Sequence, residues 1–263
     1  MTTMLSFRSR QFPQIGVSHV PASQALEWLR RGWEDLRYLR ATSVVHGVFI
    51  AILGIVLLAM GSSHPYVIAA AVSGYLLIGP IMATGLCELS RRRAAGEPLG
   101  FDESLEAIAR HPRELLQFGA LLAGVAILWF IASEVMLRSI FPISQPGLGE
   151  VLWGGFTDKA SRAQIFAYVG SGAVLAAFVF AVSVVAVPLI IDRHVSAVDA
   201  MWVSARATFS NIPAMIVWSA LIVALTAFGF LTILIGMVVV APLLGHATWH
   251  AYRDLIAENP EPG

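Results

Sequence analysis

Two histidines, His246 and His250, stand four residues apart near the end of the chain. On a helix this spacing puts both rings on one face, where a pair of imidazoles can grip a metal ion. The zinc-protease form of the motif needs a glutamate after the first histidine. Ala247 stands there, so that hydrolytic chemistry is excluded. Trp249 and Tyr252 lie alongside. Together the four residues read as a polar, aromatic helix end at a membrane surface, where amphipathic rings settle. Metal ligation by His246 and His250 is the sharper but weaker alternative.

The remaining ionisable candidates come with partners at helical spacing. Glu134 stands in an apolar run, where a carboxylate is costly and by default functional. Arg138, four residues on, is placed to pair with it. An ion pair at the surface is favoured over a proton or cation step. Glu88 precedes Arg91 and Arg92 by three and four residues and reads the same way. Asp192-Arg193 closes another apolar run, either as a helix stop and topology anchor or as part of a salt-bridge network. His46 reads as a packing residue, with a proton relay the minor alternative. No phosphate loop or nucleophile elbow occurs. The single Cys87 excludes a disulfide framework and any cysteine-built metal centre. The chain is therefore expected to be non-enzymatic, with no cofactor predicted and no metal.

The elements that must carry these groups are apolar. The 263 residues are 57% hydrophobic and only 13% charged, whereas an ordinary soluble domain is about 25% charged. A net charge of zero excludes a basic nucleic-acid-binding domain. Apolar runs appear at Val44–Gly61, Tyr66–Cys87, Leu115–Leu137, Ile165–Ile191 and Ile212–Ala247. A bilayer core needs roughly 20 such residues as a helix. The last run would make a helix of about 54 Å, so it is expected to break near Ala227–Phe230, with Gly229 serving the turn. The fold class is thus an all-α integral membrane protein with six transmembrane helices.

Basic residues orient the spans. Of the 17 lysines and arginines, only Arg138, Lys159 and Arg162 fall on one side. The rest, led by Arg91–Arg93, fall on the other, which is expected to be cytoplasmic and to hold both termini. Met1–Val20 carries no secretory signal pattern. Its acid-free, arginine-containing start faintly suggests a mitochondrial address, but a bacterial inner membrane is favoured.

Between the runs lie amphipathic segments. Leu26, Leu29, Trp33 and Leu36 step by three and four along one helical face, opposite Glu27, Arg30, Arg31, Glu34 and Arg37. Phe101, Leu105 and Ile108 do the same, as do Val198, Met201, Trp202, Ala205 and Phe209. Ser196 and Asp199 have capping-box spacing. Each segment precedes a pair of apolar runs, and each pair carries a late proline, Pro80, Pro188 or Pro242. The expected plan is three parallel repeats of an amphipathic helix plus a transmembrane hairpin: residues 23–89, 101–191 and 196–255. Tails at 1–22 and 256–263 flank this single membrane domain.

The closing stretch Ala241-Pro-Leu-Leu-Gly-His-Ala-Thr-Trp-His-Ala-Tyr-Arg-Asp-Leu255 resembles a family of bacterial predicted integral membrane proteins, domain of unknown function 2189. So do Gly79-Pro80, Arg91–Arg93, Val187-Pro-Leu-Ile-Ile-Asp-Arg193 and Ala200-Met-Trp202. The resemblance covers about residues 20–255. Some members carry a label as cytochrome c oxidase subunits, which implies an association with a respiratory membrane complex rather than haem or copper chemistry in this chain. The expected function is contact with protein or with the lipid bilayer, as an accessory or assembly partner of a respiratory oxidase. The alternative is a small-molecule or lipid transporter or channel built around a pseudo-threefold axis.

Overall fold

The computed structural model describes residues 15–61, 79–140 and 161–257. Among them the chain is helical throughout, apart from one antiparallel bridge between Val17 and Ile256. The helices are α1 (Gln24–Tyr38), α2 (Arg40–Gly61), α3 (Thr84–Ala95), α4 (Phe101–Arg110) and α5 (Pro112–Ile140). They continue as α6 (Arg162–Ser183), α7 (Ala186–Arg193), α8 (Ala197–Ser210), α9 (Ile212–Leu231) and α10 (Met237–Leu255). Four stretches are long and apolar enough to cross a membrane: Arg40–Ala59, Pro112–Met136, Arg162–Arg193 and Ile212–Leu231. Most of the run at Tyr66–Cys87 and most of the loop after Ser139 lie outside the described residues.

The three amphipathic segments are α1, α4 and α8. Each passes into a long apolar helix through one non-helical residue. Leu39 (φ −98°, ψ 30°), His111 (−127°, 44°) and Asn211 (−132°, 38°) adopt closely related conformations. Proline at position 112 suits the start of α5, where its missing amide hydrogen costs nothing. Ser196 caps α8 by accepting from the Asp199 amide, but the reciprocal bond of a capping box is absent here. The full box forms instead at Ser161 and Gln164, ahead of α6.

The last apolar run does form two helices, but the break lies elsewhere than the composition suggests. The turn is Thr232–Gly236, and Gly229 stays helical. Ile233 and Leu234 take the positive φ values, 51° and 63°. The Thr232 hydroxyl accepts from the Gly236 amide at 2.9 Å. Leu234 is buried with Ile50, Ala51, Met237 and Val240, so packing holds the backbone in a conformation that a free leucine avoids.

Packing decides which faces are buried. On α1 the inward residues are Ala25, Trp28, Gly32, Asp35 and Leu36, while Leu26 and Trp33 are exposed. On α4 Ser104 and Ala107 are inside, and Leu105 and Ile108 are exposed. On α8 Ala197, Ala200, Val203, Ser204, Ala207 and Thr208 are inside, and Val198, Trp202 and Phe209 are exposed. Helices that approach closely within a membrane protein do so over small side chains. A Cβ on Gly32 would lie 2.7 Å from the Ala247 amide nitrogen, and one on Gly47 would lie 2.1 Å from the Val238 carbonyl oxygen. That carbonyl has no helical donor, because Pro242 stands four residues on. Pro188 opens a similar break between α6 and α7. Ser204 of α8 repairs it by accepting from the Val185 amide and donating to the Ala181 carbonyl at 2.8 Å.

Candidate functional site

Helix α1 packs chiefly on α10, α4 on α3, and α8 on α6. These contacts gather the charged side chains at one end of the bundle, called here the basic end. Residues 15–20 lie across it. The Ser18 amide donates to Leu255 O at 2.9 Å, and the Ala257 amide to Gly16 O at 3.1 Å. The Asn211 side chain accepts from the Val20 amide and donates to Ser18 O. Arg206 donates to Ile15 O and Arg193 to Ala257 O. Both ends of the described chain therefore lie together.

Inside the basic end runs a chain of hydrogen bonds. Ser43 Oγ lies 2.8 Å from His246 Nε2, and Ser90 Oγ lies 2.8 Å from His246 Nδ1. The Ser90 hydroxyl donates to Asp35 Oδ2. A hydroxyl has one proton, so Ser90 must accept from His246, and Nδ1 carries the hydrogen. Nε2 of the neutral ring is then the acceptor, and Ser43 donates to it. The chain thus points in one direction, from Ser43 to the Asp35 carboxylate. His250 Nε2 also reaches Asp35 Oδ2 at 3.0 Å, and Arg93 pairs with Oδ1. The Arg93 guanidinium sits over the Tyr38 ring at 4.4 Å. Burial would push the Asp35 carboxyl up, but the bonds from His250 and Ser90 together hold it below its ordinary range.

A second hub is Glu88, whose side chain is fully buried. Arg91 bonds both its oxygens, Arg92 holds it at 2.7 Å, and Arg110 reaches it from α4. Arg91 continues to Glu97, and Arg92 to Glu106. Burial opposes ionisation of Glu88, yet bonds from Arg91 and Arg92 win and lower its pKa. A third carboxylate, Asp254, accepts from Gln24 at 2.7 Å, from the Trp28 indole at 2.8 Å and from Arg31. These partners outweigh its burial and lower its pKa.

The structure places the other sequence-chosen residues as follows. His246 is fully buried with both nitrogens engaged, and His250 is turned to Asp35. Among the described residues no group of three metal-ligating side chains forms. Trp249 and Tyr252 are buried ring to ring at 5.3 Å rather than lying in a surface belt, because α1 and α7 cover α10 here. Asp192 accepts from the Tyr252 hydroxyl, and Arg193 donates to the Ala257 carbonyl, so both side chains turn toward the end of α10. Glu134 and Arg138 pair at 2.6 Å at the opposite end. His46 bridges the Thr42 carbonyl and the Ser104 hydroxyl. Pro188 and Pro242 are buried, and Pro80 is partly so.

Asp35, Ser43, Ser90 and Asp254 were not legible as a site. Asp35 reads as one more solvated acid on α1. The available signal is its register: it follows Trp28 and Gly32 by seven and three residues, on the small-residue face rather than the charged one.

Farther into the bundle a chamber of about 820 Å³ opens between residues 79–87, α6, α9 and α10. Its wall is apolar, with Ala176, Val187, Ile222 and Leu244 typical. The hydroxyls in its wall belong to Ser183, Ser219, Thr226 and Thr248, and those of Ser183, Ser219 and Thr248 each donate to a carbonyl of their own helix.

Residues 67–192 match the model of the family described as predicted integral membrane protein, domain of unknown function 2189. The match takes in Gly79-Pro80, Arg91–Arg93 and Val187–Asp192, while Arg193, Ala200–Trp202 and the closing stretch lie beyond it. No curated protein and no solved structure matches the chain.

Proposed function

We propose that this integral membrane protein, which carries the domain of unknown function 2189 over residues 67–192, works through contacts rather than catalysis. In this reading it spans a bacterial inner membrane six times in three repeated units, with both termini in the cytoplasm. One observation carries the reading. Each amphipathic helix leans on the outgoing helix of the unit before it: α4 on α3, α8 on α6, and α1 back on α10. That order is cyclic, as an axis along the membrane normal requires. The meeting of the two described chain ends supports an even number of spans. The arginine asymmetry supports a cytoplasmic basic end. A C-terminal reporter enzyme should be active inside the cell, and an external readout overturns the six-span plan.

Contact is favoured over chemistry because the buried acids are already matched. Asp35, Glu88 and Asp254 are each held by cations or hydrogen-bond donors of the chain itself. The partner we propose is a respiratory oxidase complex, on the strength of the label some family members carry. Purification from native membranes in mild detergent should co-enrich respiratory subunits, and their absence removes that partner.

The apolar chamber favours a second reading, a lipid-handling channel. Ala177→Trp would fill part of its wall. In proteoliposomes a channel predicts lipid movement between leaflets that this substitution slows. A contact protein predicts none in either form.

A further inference from the structure

The amphipathic helices present three sectors rather than two. At about 100° per residue, the buried face of α1 (Ala25, Trp28, Gly32, Asp35, Leu36) is followed by an apolar sector (Leu26, Leu29, Trp33) and then a charged one (Glu27, Arg30, Glu34, Arg37). On α4 the order is Ser104 and Ala107, then Leu105 and Ile108, then Glu106 and Arg110. On α8 it is Ala200, Val203, Ser204 and Ala207, then Val198 and Phe209, then Asp199 and Arg206. The apolar sector lies roughly 100° round from the buried one on α1 and α4 and roughly 180° on α8, and the charged sector lies roughly 190° to 260° round, in the same rotational sense.

Three helices that follow one another around an axis, each with its buried face inward, then point their apolar sectors toward the same side. The large side chains on that side are open: Leu26 is 57% exposed, Ile108 43% and Phe209 69%. Beyond each single-residue hinge the exposed apolar surface continues onto the spanning helix. Val45, Val48 and Phe49 follow on α2, Leu116 and Leu121 on α5, and Ile212 and Ile216 on α9. Exposed arginines sit at the same level, at Arg37, Arg40, Arg110 and Arg113. A surface that continues the lipid-facing wall and is edged by cations fits an anionic headgroup layer.

We propose that α1, α4 and α8 lie in the cytoplasmic headgroup layer as a ring, with Leu26, Trp33, Leu105, Ile108, Val198 and Phe209 inserted among the acyl chains of anionic phospholipid. The small-residue faces hold the ring to the bundle, the apolar sectors seat it in lipid, and the charged sectors meet water. This rests on the three-unit reading above and adds the lipid surface as the partner of the ring.

The test uses the full chain in vesicles of phosphatidylethanolamine and phosphatidylglycerol, with Cys87→Ala as the background. Spin labels are attached after Leu26→Cys, Leu105→Cys or Phe209→Cys, and for comparison after Glu34→Cys, Asp102→Cys or Ser210→Cys. Relaxation by oxygen relative to a water-soluble nickel chelate should be several-fold higher at the first three sites than at the second three. Nickel reaching both sets alike overturns the proposal, since the apolar sectors then face water. Neither reagent reaching the apolar sites also overturns it, since protein then covers them. Comparing the unsubstituted chain with Trp33→Phe gives an independent reading: brominated acyl chains should quench the share of emission that the substitution removes, and an unquenched share counts against insertion. Uniform failure at all three helices leaves the three-unit plan standing. Three different behaviours break both.

Discussion

The two ends of this bundle are held together by different physics. At the basic end, α1, α3, α4 and α10 meet over buried carboxylates, each with several donors, and over a close contact at Gly32. At the opposite end, the Glu134–Arg138 pair is largely exposed, and the Thr232–Gly236 turn keeps two large side chains, Ile233 and Ile235, out and one, Leu234, in. Between them the helices line an apolar chamber. Lipid tails are as apolar as leucine, so apolar area gives helices within a bilayer little reason to choose one neighbour over another. Specificity must come from hydrogen bonds and close approach, and this chain concentrates both at its basic end.

That contrast can be broken most directly by carboxylate removal. Glu88→Leu leaves Arg91, Arg92 and Arg110 around an empty centre and should cost about 3–5 kcal/mol, as loss of one partner of a buried pair does. Glu134→Leu should cost about 0–1 kcal/mol, the value of an exposed pair. Thermal unfolding in detergent followed by tryptophan emission compares the two, and equal losses would remove the distinction between the ends. Glycine substitution comes next. Gly32→Ala drives a methyl group against the Ala247 backbone and should cost about 1–3 kcal/mol. Gly170→Ala on α6 meets open space and should be neutral or gain about 0.5–1 kcal/mol from helix propensity.

Acid should loosen the basic end selectively. Asp35, Glu88 and Asp254 all have carboxyls held below their ordinary values. Their stabilisation is therefore complete above about pH 4, the unfolded range, and is lost as pH falls through the folded values. Trp28 donates to Asp254, so its emission should report the change in that window, and a transition centred near neutrality would contradict the assignment. A gain rather than a loss is expected at Ile233, which is 73% exposed and has positive φ. Ile233→Gly removes backbone strain without losing packing and should raise stability by about 1 kcal/mol. A loss there would mean that the turn itself is not as described.

The helices were legible because their signals are local. Ser23–Leu39, Asp102–His111 and Ser196–Ser210 each differ from the observed helix by a residue or so. The single residues His111 and Asn211 stand where the proline-marked breaks predict. The rotation of those helices was not legible. Periodicity finds a large-residue stripe but does not say whether protein or lipid covers it. Here glycine, alanine and serine go inside, because two backbones come together there. Asp35 lies on that small-residue face. The turn was misplaced for a related reason: glycine is the local candidate for a positive φ, but burial of Leu234 against α2 sets where the chain reverses.

The sequence by itself determined that the chain is apolar and helical, where its charges are concentrated, and that amphipathic and apolar segments alternate. Each of these depends on composition and on neighbours within a few residues. Only the tertiary structure decided which carboxylates are buried, which proton arrangement His246 takes between Ser43 and Ser90, and that α1 packs back against α10. Glu88 finds its partners within 22 residues, but the His246 arrangement, the Asp254 bonds and the α1–α10 packing depend on groups more than 150 residues apart being within reach, as Ser90 and His246 are. No local spacing rule carries that information, because the partner of each buried polar group is chosen by where whole helices come to rest.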